Sequence, residues 1–341
     1  DGSVVCWGKD DSGGSTGEMQ AQLIDVVSIE ASSAAFAAIR SDGRVVAWGD
    51  RQFGGDCSSV RDQLIQVQSI TASRAAFAAL KADNTVVVWG HEQYGGTVSL
   101  QISPQLNHVN LIKATEFAFA ALKSDGQVVT WGNPVEGGDS QSPSVKEKLR
   151  DVQQIEASSG AFLAIRADGS VVCWGKDDSG GSTGEMQAQL IDVVSIEASS
   201  AAFAAIRSDG RVVAWGDRQF GGDCSSVRDQ LIQVQSITAS RAAFAALKAD
   251  NTVVVWGHEQ YGGTVSLQIS PQLNHVNLIK ATEFAFAALK SDGQVVTWGN
   301  PVEGGDSQSP SVKEKLRDVQ QIEASSGAFL AIRADGSVVC W

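Results

Sequence analysis

The sequence predicts an all-β fold built from eight short antiparallel units, and three observations predict it. Residues 1–167 recur unchanged as 168–334, and Asp335–Trp341 repeats Asp1–Trp7. Inside the block, DGSVVCWG at Asp1, DGRVVAWG at Asp42, DNTVVVWG at Asp83 and DGQVVTWG at Asp125 are four versions of one phrase, spaced 41, 41, 42 and 43 residues apart, the last step reaching Asp168. The nine Trp fall one per phrase, from Trp7 to Trp341. The chain therefore reads as four repeats over 1–167, an identical second set over 168–334, and over 335–341 either the start of a third copy or a closing strand. The four sub-repeats differ from one another as natural sequences do, so the block reads as an old fourfold array copied recently as a whole. An engineered symmetric protein fits the copying as well. Both ends fall inside one apparent strand, which reads as a window on a longer array.

Each repeat predicts three strands. Val67–Ala72 (VQSITA) alternates and is rich in β-branched residues. The run Ala75–Lys81 (AAFAALK) is Ala-rich, yet six residues locked before a turn are too few for a stable helix, so it reads as a strand whose small side chains let sheets approach. Asp42-Gly43 and Asp83-Asn84 then join it to VVxWG, which predicts a hairpin with a type I′ turn. In that last strand Val45 and Ala47 lie on one face, Val46 and Trp48 on the other. Apolar residues on both faces imply sheets stacked face to face, as in propeller blades.

Six residues after each Trp comes a Gly pair: Gly13-Gly14, Gly54-Gly55, Gly95-Gly96 and Gly137-Gly138. The fixed offset predicts a backbone conformation open to glycine and a close approach to the next blade. Length varies only after this pair, which marks an outer loop. SPSVKEKL predicts one helical turn there, with Ser142 as cap, Pro143 in the first helical position and Leu149 facing inward; SSVRDQL, ending at Leu64, is its counterpart.

Composition narrows function. The net charge is −13, from 26 basic and 39 acidic residues, which argues against a nucleic-acid partner. No apolar run approaches the ~18 residues of a membrane span, so membrane insertion is not expected. Four His and five Cys match no zinc spacing, and no Ser–His–Asp set or phosphate loop can be assembled. No catalytic, cofactor-binding or metal-binding residue is expected. Cys6, in VVCW, reads as a small core residue and Cys57 as a solvated loop thiol, with an inter-chain disulfide as the alternative. His91 reads as an exposed variable position, and His108 as a loop residue without a partner. Arg40, Lys81, Lys123 and Arg166 stand at the hairpin shoulder, where Asp42-type residues or Glu30, Glu116 and Glu156 would give weak surface ion pairs. The repeated Trp face reads as core.

The phrase AFAAL-K-x-DG-x-VVxWG followed by a Gly pair resembles the propeller repeat of the regulator of chromosome condensation family, over all eight repeats. That family's repeat has a Gly and a His ahead of the Ala-Leu, and G-Q-L-G after the Trp-Gly. Here Phe36, Phe77, Phe119, Phe162 or nearby Ala fill the first region and plain Gly-Gly the second. The 41–43-residue spacing is closer to the compact repeats of the secreted beta-lactamase-inhibitory propeller. The resemblance implies propeller blades and protein partners. The founder's exchange activity depends on a wedge-like insertion that no repeat here carries, and its chromatin contacts on a basic surface.

The sequence thus predicts a non-enzymatic repeat scaffold, structural or protein-binding, as a closed eight-bladed ring or an open superhelical array able to form filaments with copies of itself. The alternative is a discrete eight-bladed propeller that binds a partner protein as an inhibitor or exchange-type regulator. Its contact residues would be Arg51, Phe53 and Tyr94 in the turn between Trp and Gly-Gly, with their copies Arg218, Phe220 and Tyr261.

Overall fold

A computed structural model describes residues 2–139, 143–306, 312 and 314–341. Two compact units divide the chain, Asp1–Ala167 with Val172–Lys176, and Asp168–Val171 with Asp177–Trp341. Among the described residues there are eight three-stranded antiparallel sheets, each in sequence order. Sheet 1 is β1 (Val26–Ala31), β2 (Ala35–Arg40) and β3 (Val45–Gly49); sheet 2 is β4 (Val67–Ala72), β5 (Ala76–Lys81) and β6 (Val86–Gly90). Sheet 3 is β7 (Val109–Ala114), β8 (Ala118–Lys123) and β9 (Val128–Gly132); sheet 4 is β10 (Val152–Ala157), β11 (Ala161–Arg166) and β12 (Val171–Gly175). The second set follows with β13 (Val193–Ala198), β14 (Ala202–Arg207) and β15 (Val212–Gly216), then β16 (Val234–Ala239), β17 (Ala243–Lys248) and β18 (Val253–Gly257). Sheet 7 is β19 (Val276–Ala281), β20 (Ala285–Lys290) and β21 (Val295–Gly299). Sheet 8 is β22 (Val319–Ala324), β23 (Phe329–Arg333) and β24 (Val338–Cys340). The propeller-type blade is as the sequence predicts. Asp335–Trp341 supplies the third strand of sheet 8 locally, and Gly2–Trp7 lies outside any strand.

Successive sheets bury their faces on each other. Ala37, Ile39, Val45 and Ala47 of sheet 1 pack with Val67, Phe77, Ala79 and Trp89 of sheet 2, all under a tenth exposed. The Ala residues of the middle strands are almost fully buried, which is the close approach their size permits. Within each unit the first strands adjoin one another, β1 beside β4 and β4 beside β7. The third strand is therefore the outer one.

The hairpin turn differs from expectation. Only its last residue has positive φ, 74° at Gly43 and 62° at Asn84, and the Gly43 N–H donates to the Arg40 carbonyl. This is a three-residue loop ending in a left-handed bulge residue, not a type I′ pair. Asp42 is selected for another reason: its carboxylate accepts the Arg44 N–H at 3.0 Å. The carbonyl of the bulge residue then reaches the next sheet, where the Val67 N–H donates to the Gly43 oxygen at 2.9 Å and the Val109 N–H to that of Asn84 at 2.9 Å.

The residue before each first strand is also left-handed, although it is never glycine: Gln66 has φ 55°, His108 55°, Asp151 54°. Two bonds impose this. The Gln66 carbonyl accepts the Ala82 N–H at 2.9 Å, while the following N–H, on Val67, is committed to Gly43. His108 is held in the same way, its carbonyl accepting from Ser124.

The outer-loop turns form at Ser58–Gln63 as a 3-10 segment and at Pro143–Lys146 as an α turn, with Leu64 and Leu149 buried behind them. Ser142, the expected cap of the latter, lies outside the described residues. No described helix is long and apolar enough to cross a membrane.

Candidate interaction face

The turn between Trp and the Gly pair is capped by a side-chain acceptor in three of the four sister repeats, and Lys9 in the first makes no such bond. Asp50 caps a 3-10 turn, Arg51–Phe53, by accepting the Gln52 N–H at 2.8 Å. His91 does so through Nδ1 for Glu92–Tyr94, and Asn133 through Oδ1 for the turn that begins at Pro134. The position read as exposed and variable is therefore a capping position where Asp50, His91 and Asn133 supply different acceptors, and Lys9 supplies none. The turn ends on Gly54, left-handed at φ 91°, and a Cβ there would stand 2.6 Å from Cδ2 of Phe77 in the next sheet. The Phe77 ring stacks on Trp89 with centroids 5.2 Å apart, and the Trp89 indole N–H donates to the Gly54 carbonyl at 2.9 Å. Backbone, ring and indole thus staple one blade's turn to the next blade's core. The same bond joins Trp48 to Gly13, Trp131 to Gly95 and Trp298 to Gly262. This is the close approach that the Gly pairs predict, and the Trp residues are core except Trp341, which is half-buried, and Trp7, which is 84% exposed.

A second support was not legible. Ser32, Ser73 and Thr115 hold the carbonyl just before the first Gly, with hydroxyl donation to Phe53 O at 2.8 Å, Tyr94 O at 2.8 Å and Glu136 O at 3.2 Å. The sequence signal is a Ser or Thr after the Ala that closes each first strand. A backbone chain also links the tips of the first hairpins, from Ser33 N to Arg74 O, Arg74 N to Glu116 O, and Glu116 N to Ser159 O. Hairpin tips and capped turns share one end of the blades, since the Asp50 N–H donates to the Ala34 carbonyl.

The six predicted contact residues sit on these turns in different settings. Arg51 is exposed and 3.6 Å from Asp56; its copy Arg218 reaches Asp223 at 2.6 Å. The Ser225 backbone N–H, more than Arg218, holds the Asp223 carboxyl below the usual range. Phe53 and Phe220 are half-buried and pack against the cores between sheets 1 and 2 and between sheets 5 and 6, so they wall the turn. Tyr94 is different. Its ring stacks on Phe117 at 4.9 Å and meets His91 edge-on at 5.1 Å. Phe117 lies on the neighbouring hairpin tip beside Glu116, whose carboxylate is 3.4 Å from Arg74. The cluster recurs as His258, Tyr261 and Phe284, beside the Arg241–Glu283 pair at 3.5 Å. Among the described residues no ring contact joins Phe53 to Tyr94. Phe117 was missed by the sequence reading; its signal is the doubled Phe of EFAF, where sister repeats have one.

Both cysteine expectations are corrected. Cys57 and Cys224 are buried, 4% and 5% exposed, because the loop folds back over the outer strand and the backbone N–H of Ala47, or of Ala214, reaches the sulfur. Burial pushes both thiols up, and neither is placed for an inter-chain disulfide. Cys6, outside any strand, and Cys173 are half-buried and Cys340 is exposed, whereas Ala47, Thr130 and Ala214 at the same position are buried. Shoulder pairs form as expected at Arg40–Asp42, 3.6 Å, and Lys81–Asp83, 3.3 Å. Glu116 and Glu156 instead pair with Arg74 and Lys113, and Glu30 accepts the Ala72 N–H while burial pushes its carboxyl up. No group of three or more His, Cys, Asp or Glu among the described residues converges to hold a metal ion.

No protein-family model matches the chain, and no curated protein matches it. Among solved structures it is similar to the CRINKLY WD40 ectodomain of the Arabidopsis thaliana receptor kinase ACR4, with 18% identity and TM-score 0.43 over 81% of this chain and 95% of that one. It is similar to Prp20p from Saccharomyces cerevisiae, characterised for binding to Gsp1p and histones, with 16% identity and TM-score 0.44 over 70% and 73%. The computationally designed Ika8 protein gives 14% identity and TM-score 0.42 over 93% and 96%. At these identities the likeness concerns fold alone and assigns neither partner nor activity.

Proposed function

We propose that the chain is a non-enzymatic repeat scaffold that works by protein–protein contact through the capped-turn end of its blades. The observation that supports this reading most is the His91–Tyr94–Phe117 cluster, half-buried, ringed by the Arg74–Glu116 pair and repeated as His258–Tyr261–Phe284. Stacked aromatics beside an Arg are the composition of a binding hot spot, and the staples beneath hold them in place before a partner arrives. The contact set is then Tyr94, Tyr261 and Phe117 with Arg51 and Arg218 at the margin, and Phe53 and Phe220 as supporting wall. Benzoylphenylalanine at exposed Gln93, compared with the same probe at Arg44 on the opposite end, tests this in the native host. A discrete protein adduct from Gln93, absent from Arg44 and lost on Tyr94→Ala with Tyr261→Ala, is the expected result. Equal adducts from both ends contradict it.

A second reading, association with further copies of the same sequence into arrays or filaments, rests on a separate observation. Ile29 is 44% exposed where its sister position Ile112 is 6%, and Val338 is 55% exposed where its sister position Val295 is 8%. Leu330 and Ile332 lie half-buried on the same face of sheet 8 as Val338. These are the positions that successive sheets bury against one another within each unit, so another copy of the block carries the surfaces that fit them. Electron microscopy over a concentration series tests it: filaments or rings of several chains support the reading, and single chains throughout contradict it.

A further inference from the structure

The outer strands differ in how their free edges are covered. In β15 the hydrogen-bonding phase is fixed by Arg207 N to Arg211 O and Asp217 N to Ala201 O, which aims Val212, Ala214 and Gly216 away from β14. There Cys224 folds over the edge, packs with Ala214 in one buried cluster and has the Ala214 N–H beside its sulfur. In β18 the same phase, fixed by Lys248 N to Thr252 O and His258 N to Ala242 O, aims Val253, Val255 and Gly257 outward. Val265 occupies the place of Cys224, two residues after the second Gly, and a hydrocarbon cannot accept the Val255 N–H. None of the three outward residues makes a backbone hydrogen bond outside the sheet.

This edge, along which Val255 is buried and Val253 and Gly257 are half-buried, is the floor of a cleft of about 530 Å³. Val265 and Ser270 of its own loop form one wall, Ser226, Val227 and Gln230 of the preceding loop the other, and the Arg218–Asp223 pair stands at the mouth. Along the floor, outward donors and acceptors recur every second residue, about 6.7 Å apart. Only an extended chain matches that spacing with groups of its own, and the walls are apolar at Val227 and Val265, where one of its side chains would insert.

We propose that the β18 edge binds an extended segment of a partner protein by strand addition, pairing with Val253–Gly257 and placing a β-branched residue between Val227 and Val265. The identical first block repeats the arrangement along β6, with outward Val86, Val88 and Gly90 and with Val98 at the Cys57 position. The proposal deepens the reading of the chain as a protein-binding scaffold, at a site separate from the Tyr94 cluster. β3 and β15, covered by Cys57 and Cys224, do not take part.

Calorimetric titration of the full chain with the acetylated, amidated heptapeptide Arg-Thr-Val-Thr-Val-Thr-Arg tests it. The expected result is two peptides per chain and at least about tenfold weaker binding of the same peptide N-methylated at alternate residues, because several main-chain bonds are lost at once. Val98→Cys with Val265→Cys, which restores the thiol cover, lowers affinity at least about tenfold as well. Cys57→Val with Cys224→Val uncovers two further edges and raises the stoichiometry toward four. Phe117→Ala with Phe284→Ala, which removes the rings that Tyr94 and Tyr261 stack on, leaves the titration unchanged, so loss of the Gln93 adduct and loss of peptide binding are separate failures. No binding, equal binding of the N-methylated peptide, or indifference to both cysteine pairs overturns the proposal.

Discussion

Each blade turns at both ends on a left-handed residue, yet the two turns tolerate different chemistry. At the hairpin end the position is Gly43, Gly126 or Gly169, and Asn84 serves equally at φ 62°. At the capped-turn end the position is glycine in all eight repeats, from Gly13 to Gly304. The dihedral angle alone does not explain the contrast, since Asn reaches positive φ in both copies of the block. What differs is the neighbour. A Cβ at Gly54 would meet the flat face of Phe77 at 2.6 Å, and that ring is itself clamped by Trp89. A Cβ at Gly43 would stand 2.8 Å from Cα of Gln66, in a loop whose backbone can shift, and Asn84 with His108 is the accommodated version of that contact. Turn residues here report on the next blade more than on their own loop.

The sharpest way to break the contrast is to give the capped turn a side chain. Gly54→Ala with Gly221→Ala adds a left-handed penalty to an overlap with a packed ring. It is expected to cost about 3 kcal/mol per site, read as a lower denaturation midpoint. Removing the staple's polar half comes next. Trp89→Phe with Trp256→Phe leaves the Gly54 and Gly221 carbonyls buried without the indole donor, and should cost about 2 kcal/mol per site in the same measurement. The smallest effect is predicted at the hairpin, where Gly43→Asn with Gly210→Asn should cost about 1 kcal/mol per site or less. If the hairpin change proved as damaging as Gly54→Ala, the distinction between the two turns would fail.

The blades were legible because their signals are local. Strand alternation in VQSITA, the two-faced VVAWG and the fixed Gly offset each express a constraint within a few residues, and the structure follows them. Elements set by contact between repeats were harder to read. The left-handed Gln66 and His108 carry no residue signature, since two flanking hydrogen bonds to other segments impose the conformation. The type I′ turn was wrong because Asp-Gly also suits a three-residue loop, where Asp caps and only Gly is left-handed. Cys57 looked exposed because its loop does; its burial comes from folding back onto the β3 edge.

Of the candidate site, the turn was legible and the cluster was not. Tyr94 and Phe53 stand at equivalent positions in sister repeats, and nothing in that alignment separates them. Both pack against the core beneath their turn; their difference comes from Phe117, 23 residues on, which gives Tyr94 a second ring to stack on, while Phe53 has none among the described residues.

The stapling of successive blades is tested most directly by hydrogen exchange at the tryptophan indoles, followed by NMR on the intact chain. Trp48, Trp89, Trp131, Trp174, Trp215, Trp256, Trp298 and Trp341 each donate to the carbonyl of the first Gly of the preceding turn, while Trp7 is exposed. Eight slowly exchanging indole protons and one fast one are predicted, with the slow set accelerated locally by Gly54→Ala. Rapid exchange across the whole set would contradict the staple and, with it, the rigid face that carries the proposed contacts.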